Sequence, residues 1–224
     1  MKKNLPLIFT GPLQSWGINS SYNLRKTAYF PTKSAISGMI CSALGRPRED
    51  TLILQKLNEC SMNSYVLKEG VVIDDFHTVG AGYDEDEQKL NSVKNSKGVK
   101  RGGGSQTVVT RREYLADYKT GAIIIGEEDL LQEILKGLTF PKWHVCLGKR
   151  CCIPGEPIVT NICDTLSSAF KVLLERAGLD KKAGVRIIKE VKEIDAEFDY
   201  LMNDVAIDFS KKIYSFRKVT DRYI

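Results

Sequence analysis

The chain has 224 residues, of which 42% are hydrophobic and 27% charged, so it can fold around a sizeable core and is not an intrinsically disordered chain. The formal net charge of +5 is moderately basic, and it allows an acidic partner such as nucleic acid without requiring one. No run approaches the ~18 consecutive apolar residues of a membrane span, and Pro6 interrupts the segment that follows Met1-Lys2-Lys3, so we expect a cytoplasmic protein without a signal peptide or a membrane partner.

The first third of the chain predicts a strand, two helices and two further strands. The first strand ends in a Gly-Pro turn, and Thr32 and Gly45 can cap the two ends of the first helix. Glu69-Gly70, between the last two strands, is a hairpin signal. In chain order these predicted elements are Leu5–Thr10, Thr32–Gly45, Asp50–Cys60, Ser64–Lys68 and Val71–Val79.

Residues 80–112 differ in composition from the segments on either side. They pass an acidic patch, Asp84–Glu87, and then become basic, with almost no large apolar residue between Leu90 and Val108. Such a segment cannot bury enough apolar surface to fold by itself. We therefore predict a mobile, basic insertion.

After the insertion the chain predicts two strands, a helix and a strand, and then a C-terminal part with one helix and three strands. We group the elements up to residue 147 as strand, helix, strand, strand, insertion, helix and strand. Without the insertion this grouping is β-α-β-β-α-β, the pattern of ferredoxin-like folds and of RNA-recognition modules. We predict an α+β protein with a ferredoxin-like domain at residues 1–152, an insertion at about 80–112 and a smaller C-terminal α/β segment at 153–224. The predicted elements are Glu113–Tyr118, Ala122–Ile125, Glu127–Leu138, Trp143–Leu147, Asp164–Ala177, Val185–Ile194, Asp204–Phe209 and Ile213–Val219.

Two short segments near the N-terminus, residues 11–17 and 30–34, are typical of a protein surface that binds a polyanion. The helix start after Pro31 offers free N–H groups and the positive end of the helix dipole to phosphate, where Lys33 adds charge and Ser34 a hydroxyl group. Trp16 can stack on a splayed base or fold against the helix. Gln14 can read a base edge or cap a turn.

Further basic residues are candidate phosphate contacts. Lys149-Arg150 follow a predicted strand and are phosphate contacts or a plain exposed pair. The cations of the insertion contact RNA or form a solvated charge run. His77 touches RNA or is a structural residue. The insertion cations in question are Lys100, Arg101, Arg111 and Arg112.

Five segments, in order and spacing, resemble the CasD family (CRISPR-associated protein five) of type I Cascade, and the type I-E branch fits best. The resemblance covers residues 11–154 and thins beyond Pro154 to a weak match at Tyr214–Val219. The segments are Gly11-Pro12-Leu13-Gln14-Ser15-Trp16-Gly17, Phe30-Pro31-Thr32-Lys33-Ser34, Asp75-Phe76-His77-Thr78-Val79, Gln106-Thr107 with Arg112-Glu113-Tyr114-Leu115-Ala116-Asp117, and Leu147-Gly148-Lys149-Arg150-Cys151-Cys152-Ile153-Pro154.

The resemblance implies a ferredoxin-like core of the repeat-associated class with an inserted β-hairpin thumb that folds over RNA. It also implies a subunit that caps the 5′ handle of the CRISPR RNA and nucleates the complex. The implied partners are the CRISPR RNA, the backbone and large subunits of Cascade, and target DNA through the complex. The candidate RNA contacts are Gln14, Trp16, Lys33, Ser34, His77, Lys100, Arg101, Gln106, Thr107, Arg111, Arg112, Lys149 and Arg150.

Two alternatives stay open. Type I-C members of the family cleave the repeat RNA themselves, which requires a base and an acid, commonly histidine with tyrosine or lysine. This chain has only His77 and His144, and we expect His144 to pack within a strand. The second alternative is a protein-only scaffold whose insertion contacts an acidic partner. We expect the six cysteines to be reduced thiols, as in other cytoplasmic proteins, and their spacing matches no zinc knuckle, so we expect no metal. Because the chain has only two histidines, we also expect no catalytic residue, and we expect no cofactor.

Overall fold

The computed structural model describes residues 1–21, 23–80, 108–180, 184–193 and 196–224. None of the helices within these ranges has the length and apolarity needed to cross a membrane. The elements in these ranges are β1 (Lys2–Thr10), β2 (Leu13–Gln14), β3 (Trp16–Gly17), β4 (Leu24–Arg25), β5 (Thr27–Ala28), α1 (Lys33–Leu44), α2 (Thr51–Glu59), β6 (Ser61–Lys68), β7 (Val71–Val79), β8 (Val108–Ala116), β9 (Lys119–Glu127), α3 (Glu128–Thr139), α4 (Leu166–Ala177), β10 (Arg186–Val191), β11 (Tyr200–Asp208) and β12 (Ile213–Tyr223).

The main sheet has six antiparallel strands in the order β1-β9-β6-β10-β12-β11. Side chains alternate between its two faces. Leu5, Leu7 and Phe9 of β1 belong to the core that includes α1, α2 and α3, whereas Ile8 packs with α4. Residues 158–163 run along the outer edge of β1 and meet it at two isolated bridges. The mixed α/β architecture with antiparallel sheets confirms the predicted α+β class.

A second sheet is built around β8. β7 pairs with β8 along its whole length, from Val71 opposite Ala116 to Val79 opposite Val108. On its other side β8 pairs with β2 and, in parallel, with β4. Most of the predicted insertion lies outside the described residues. Its last part, from Val108 onwards, belongs to β8, so Arg111 and Arg112 lie on a strand and not in the predicted mobile segment.

The turn at Glu69-Gly70 does not close a hairpin, so that prediction is wrong. β6 pairs with β9 and β10, whereas β7 pairs with β8, and the chain therefore changes sheets at this turn. A Cβ atom on Gly70 would lie 2.0 Å from the carbonyl oxygen of Ala116. Glycine is required here because the two backbones approach too closely for any side chain.

The predicted strand Trp143–Leu147 is also wrong. The backbone at the start of this segment is bonded to the end of α1 and not to a sheet: the Lys142 N–H donates to the Ala43 carbonyl at 2.8 Å, and the Trp143 N–H donates to the Ser42 carbonyl at 3.2 Å. The predicted C-terminal strands are present as β10, β11 and β12, and they extend the main sheet through the pairing of β10 with β6.

Four buried charges join the C-terminal strands to the rest of the fold. Lys33, Glu190, Asp204 and Arg217 come from α1, β10, β11 and β12, and each is less than a tenth exposed. Lys33 Nζ lies 2.9 Å from Glu190 Oε1, and Arg217 Nε lies 2.7 Å from Asp204 Oδ1. Arg217 Nη1 also approaches Glu190 Oε2 at 3.8 Å, so the two pairs form one network.

The network also satisfies neighbouring backbone groups. The Met62 N–H of β6 donates to Glu190 at 2.8 Å, and Arg217 donates to the Met62 carbonyl at 3.2 Å. Burial lowers the pKa of Lys33, and the carboxylate of Glu190 opposes this shift by favouring the charged ammonium. Because the charges are paired and their hydrogen bonds are met, the network can remain ionised inside the protein.

Replacing Lys33 by Met leaves Glu190 buried without its closest cation. We expect the free energy of unfolding to fall by about 3–5 kcal/mol, the range for removing one partner of a buried ion pair. The free energy of unfolding is measured by urea denaturation monitored by circular dichroism. The matched control is Lys189→Met, at the exposed position beside Glu190, which should change stability by less than about 0.5 kcal/mol. Equal stability of the two variants would contradict this role of Lys33.

Candidate nucleic-acid interface

An open groove of about 480 Å³ lies where the turn after β1, the start of α1, the edge of β8 and the loop at residues 148–149 come together. Its wall combines positive charges with hydroxyl groups and two aromatic rings. We name it the basic groove. Its cations, and a hydroxyl residue in the first turn of α1, are Arg25, Lys26, Arg112, Lys149 and Ser34.

Two arginines of the basic groove lie side by side. Arg25 on β4 is opposite Arg112 on β8 in the parallel register of these strands. Like charges in facing positions destabilise a sheet. Within the described ranges neither arginine forms an ion pair with a carboxylate, although Arg112 Nε donates to Thr110 Oγ1 at 3.2 Å. The arrangement therefore favours binding of an anion, whose negative charge would offset the repulsion between the two arginines.

Lys149 brings a third cation from a distant part of the chain. Its ammonium lies 4.0 Å from the centre of the Tyr114 ring and donates to the Glu113 carbonyl at 3.1 Å. Partial burial lowers the pKa of Lys149, and the nearby Arg112 and Arg25 lower it further by repulsion. An anion bound in the groove would raise this pKa again because it stabilises the charged form.

Close packing of two loops holds Lys149 in this place. The Ser15 N–H donates to the Leu147 carbonyl at 3.0 Å. Gly148 has a φ of +91°, and a Cβ atom at this position would lie 1.8 Å from the Ser15 carbonyl oxygen. Glycine thus allows the loop that carries Lys149 to lie against the turn after β1. These are two of the segments that the sequence pattern singled out, and they meet in space.

Gln14 and Trp16 are fully buried, which contradicts the prediction that they contact RNA. The Gln14 amide donates to the carbonyls of Phe9 and Tyr118 at 2.9 and 2.8 Å. Its oxygen accepts from Trp16 Nε1 at 3.0 Å and from Thr120 Oγ1 at 2.8 Å. All four hydrogen-bonding positions of the amide are used, so Gln14 supports the core and offers nothing to a base.

Lys33 is likewise unavailable to phosphate, which contradicts the prediction for this residue. Its side chain is buried and paired with Glu190. The N-terminus of α1 already holds an anion, because the Lys33 N–H donates to Asp204 Oδ2 at 2.7 Å. The next residue, Ser34, is half-buried and does line the basic groove.

The remaining candidates fall into three sets. Arg112 and Lys149 converge on the basic groove with Ser34. Arg111 is exposed and, as the neighbour of Arg112 along a strand, belongs to the opposite face of β8. His77 is half-buried on β7 opposite Thr110 and is not among the groove's lining residues. Arg150 lines a neighbouring groove. Four candidates lie outside the described residues: Lys100, Arg101, Gln106 and Thr107.

Sequence reasoning missed Arg25 and Lys26. They stand next to each other in the short stretch between the two N-terminal motifs, and this local cluster of basic residues was the available signal. Their part in the groove depends on the pairing of β4 with β8, and these strands are more than 80 residues apart in sequence, as in the pairing of Arg25 with Arg112.

The described residues of the basic groove offer charge and hydrogen bonds, and no histidine is among them. In the part of the chain that the structure describes, no three His, Cys, Asp or Glu side chains lie close enough to hold a metal ion. His144 is exposed, in contrast to the expectation that it packs. Burial raises the pKa of Cys41 to about 11 and that of Cys152 to about 12, so both are neutral thiols near pH 7.

Comparison with known proteins gives consistent results over most of the chain. Residues 5–220 match the family described as CRISPR-associated protein (Cas_Cas5). The chain is similar to the CRISPR system Cascade subunit CasD of Escherichia coli (strain K12), with 30% identity over 177 residues that cover 78% of this chain and 77% of that protein.

Two solved structures have a similar fold. A chain of a CRISPR RNA-guided surveillance complex superposes with a TM-score of 0.75 at 28% sequence identity and covers 98% of this chain and 89% of its own. A chain described as the crystal structure of a Cas protein superposes with a TM-score of 0.70 at 23% identity and covers 98% of this chain and 94% of its own.

Replacing Gln14 by Ala would leave the buried Trp16 Nε1 and Thr120 Oγ1 without their partner and would remove the amide's hydrogen bonds to the Phe9 and Tyr118 carbonyls. At about 1–3 kcal/mol for each unsatisfied buried group, we expect the free energy of unfolding to fall by at least about 2 kcal/mol. Chemical unfolding measures it, with Gln55→Ala at an exposed position of α2 as the control. The opposite result, normal stability of Gln14→Ala with weakened binding to RNA, would restore a base-reading role.

Proposed function

Because the chain belongs to the CRISPR-associated protein (Cas_Cas5) family, we propose that it is a non-catalytic, RNA-binding subunit of a Cascade surveillance complex. In this proposal it grips the 5′ handle of the CRISPR RNA in the basic groove. It nucleates assembly with backbone and large subunits in the cytoplasm, and it meets target DNA only through the complex. The names of the relatives, a Cascade subunit and an RNA-guided complex, support this assignment.

The observation in this chain that carries the proposal is the convergence of Arg25, Arg112 and Lys149. These cations come from three separate segments, and their backbones are fixed by strand pairing and loop packing. The planar guanidinium groups match phosphate oxygens, and the ammonium adds a point charge. A groove that is open to solvent can receive a flexible single strand and hold successive phosphates along its length.

We also propose that part of the main sheet is a ferredoxin-like core. β1 and β6 run parallel on either side of β9, as in a split β-α-β unit. In this proposal α1 and α3 are the two helices of the ferredoxin-like core. Residues 158–163, beside β1, take the place of the fourth strand. The first domain then extends at least to residue 163, past the predicted boundary at residue 152. The ribbon of β7 and β8 would be the base of the thumb.

Replacing Arg25, Arg112 and Lys149 together by Ala should weaken binding of single-stranded repeat RNA and flatten its salt dependence. Each lost phosphate contact lowers the slope of log K against log salt by about 0.7, so three contacts lower it by about 2. Fluorescence anisotropy with labelled RNA, measured over a range of salt concentrations, gives the slope.

The matched control replaces three exposed cations elsewhere, Lys56, Lys136 and Lys189, by Ala. This control removes the same charge, and it should keep the wild-type slope. An identical slope in the groove variant and the control would contradict phosphate binding in the groove. Binding to an acidic protein partner, with no binding to RNA, would favour the scaffold alternative.

We expect the protein to leave its own repeat RNA intact. Cleavage without a metal needs a group to take the proton of the 2′-OH and another to protonate the leaving oxygen. Neither histidine is among the described lining residues of the basic groove. The measurement is incubation with labelled repeat RNA in EDTA, in Mg²⁺ and in Mn²⁺. Discrete cleavage at the handle boundary that His77→Ala or His144→Ala abolishes would instead support a nuclease.

A further inference from the structure

A second groove of about 550 Å³ opens beside the basic groove. Both grooves are lined by Phe209 and Tyr214, so these two rings form the wall between them. The second groove adds a third aromatic ring and its own cations. We name it the aromatic groove. The residues that define it are Trp143, Phe209, Tyr214, Arg48, Arg150 and Lys212.

Trp143 is held at the surface by its backbone. Its side chain is 48% exposed, whereas Trp16, the other tryptophan of the chain, is fully buried. The Trp143 N–H donates to the Ser42 carbonyl at 3.2 Å, and Ser42 Oγ donates to the His144 carbonyl at 3.1 Å. These bonds anchor the segment to the end of α1. The ring is therefore presented to solvent from a rigid support, the arrangement of a stacking platform.

The opposite wall is rigid as well. Phe209 and Tyr214 pack edge to face, with ring centres 6.4 Å apart. They flank the turn between β11 and β12, where Asp208 Oδ1 accepts from the N–H groups of Ser210 at 2.9 Å and Lys211 at 3.0 Å. Hydrogen bonds from Ser210 and Lys211 also hold the pKa of Asp208 below its usual value. The carboxylate thus stays ionised and keeps the turn closed at neutral pH.

The charges of the aromatic groove suit a phosphate group beside a base. Arg46 at its border is already paired with Glu133 at 3.0 Å. Within the described ranges Arg48, Arg150 and Lys212 form no ion pair, and Arg48 and Arg150 are exposed. Aromatic rings that stack on bases, combined with cations that follow the backbone, are the usual means of binding single-stranded nucleic acid.

We propose that the aromatic groove binds one unstacked base of the single-stranded RNA whose phosphates lie in the basic groove. This inference rests on the proposed function. The two grooves share a wall, so a single strand can pass from Lys149 to its neighbour Arg150 across Tyr214 without leaving the surface. Trp143 stacks on the base, and Arg150 and Lys212 contact the adjoining phosphates.

The test uses the full chain and single-stranded repeat RNA. Because Trp16 is buried, RNA-dependent quenching of tryptophan fluorescence should come from Trp143. Trp143→Ala should raise the Kd for RNA by about 5- to 150-fold, the effect of one lost stacking contact, with an unchanged salt slope. Trp143→Phe should restore most of the affinity. The control, Phe140→Ala, removes an aromatic ring that is 82% exposed outside both grooves and should stay within about twofold of wild type.

Four other outcomes would contradict the inference, and each points to a different explanation. Trp143→Ala could bind RNA with wild-type affinity while the triple variant of Arg25, Arg112 and Lys149 binds it less tightly. That result would contradict base binding in the aromatic groove but would agree with the proposed function. Absence of RNA binding by the wild-type chain removes both. Equal quenching by free AMP at the same concentration assigns the groove to mononucleotides. Loss of copurifying Cascade subunits in Trp143→Ala, with normal RNA affinity, assigns it to a protein partner.

Discussion

The buried network of Lys33, Glu190, Asp204 and Arg217 is the constraint on which the rest of the structure depends. Its charges are compensated only when β10, β11 and β12 extend the main sheet and bring their carboxylates to the start of α1. The same contact fixes the position of Ser34 on one wall of the basic groove and of the turn with Phe209 and Tyr214 on the other. The buried network thus links two parts of the groove wall that are far apart in sequence.

The sequence pattern predicted the positions of helices and strands better than it predicted the contacts that each of them makes in the fold. The helix that starts at Lys33 and ends before Gly45 was correctly placed, but its N-terminus was predicted to receive phosphate and instead receives a carboxylate of the same chain. The anion is Asp204, which is 171 residues away in the chain. Local sequence shows that a helix start needs negative charge, but a ligand and a distant carboxylate satisfy that need equally well.

The same limit explains the two tryptophans and the turn at Gly70. Trp16 follows a Gly-Pro turn that, by itself, would leave it exposed, but it lies in the short strand β3, and the packing of β1, β8 and β9 around Gln14 buries it. Trp143 has apolar neighbours that indicate a strand, yet its backbone bonds to α1. Lys149 reaches the basic groove because of the adjacent Gly148 and one loop contact with Ser15, although the strand predicted before it is absent.

Charged side chains are arranged differently in the interior and at the basic groove. In the interior every cation of the network has a carboxylate partner, whereas at the basic groove Arg25 faces Arg112 with Lys149 close by and no carboxylate between them in the described ranges. Facing cations reduce stability in the free protein. A polyanion that binds only the folded state offsets this repulsion and adds RT ln(1 + [L]/Kd) to stability. The basic groove thus lacks the carboxylates that complete the buried network, and under the proposed function the phosphates of the RNA would supply the opposite charge.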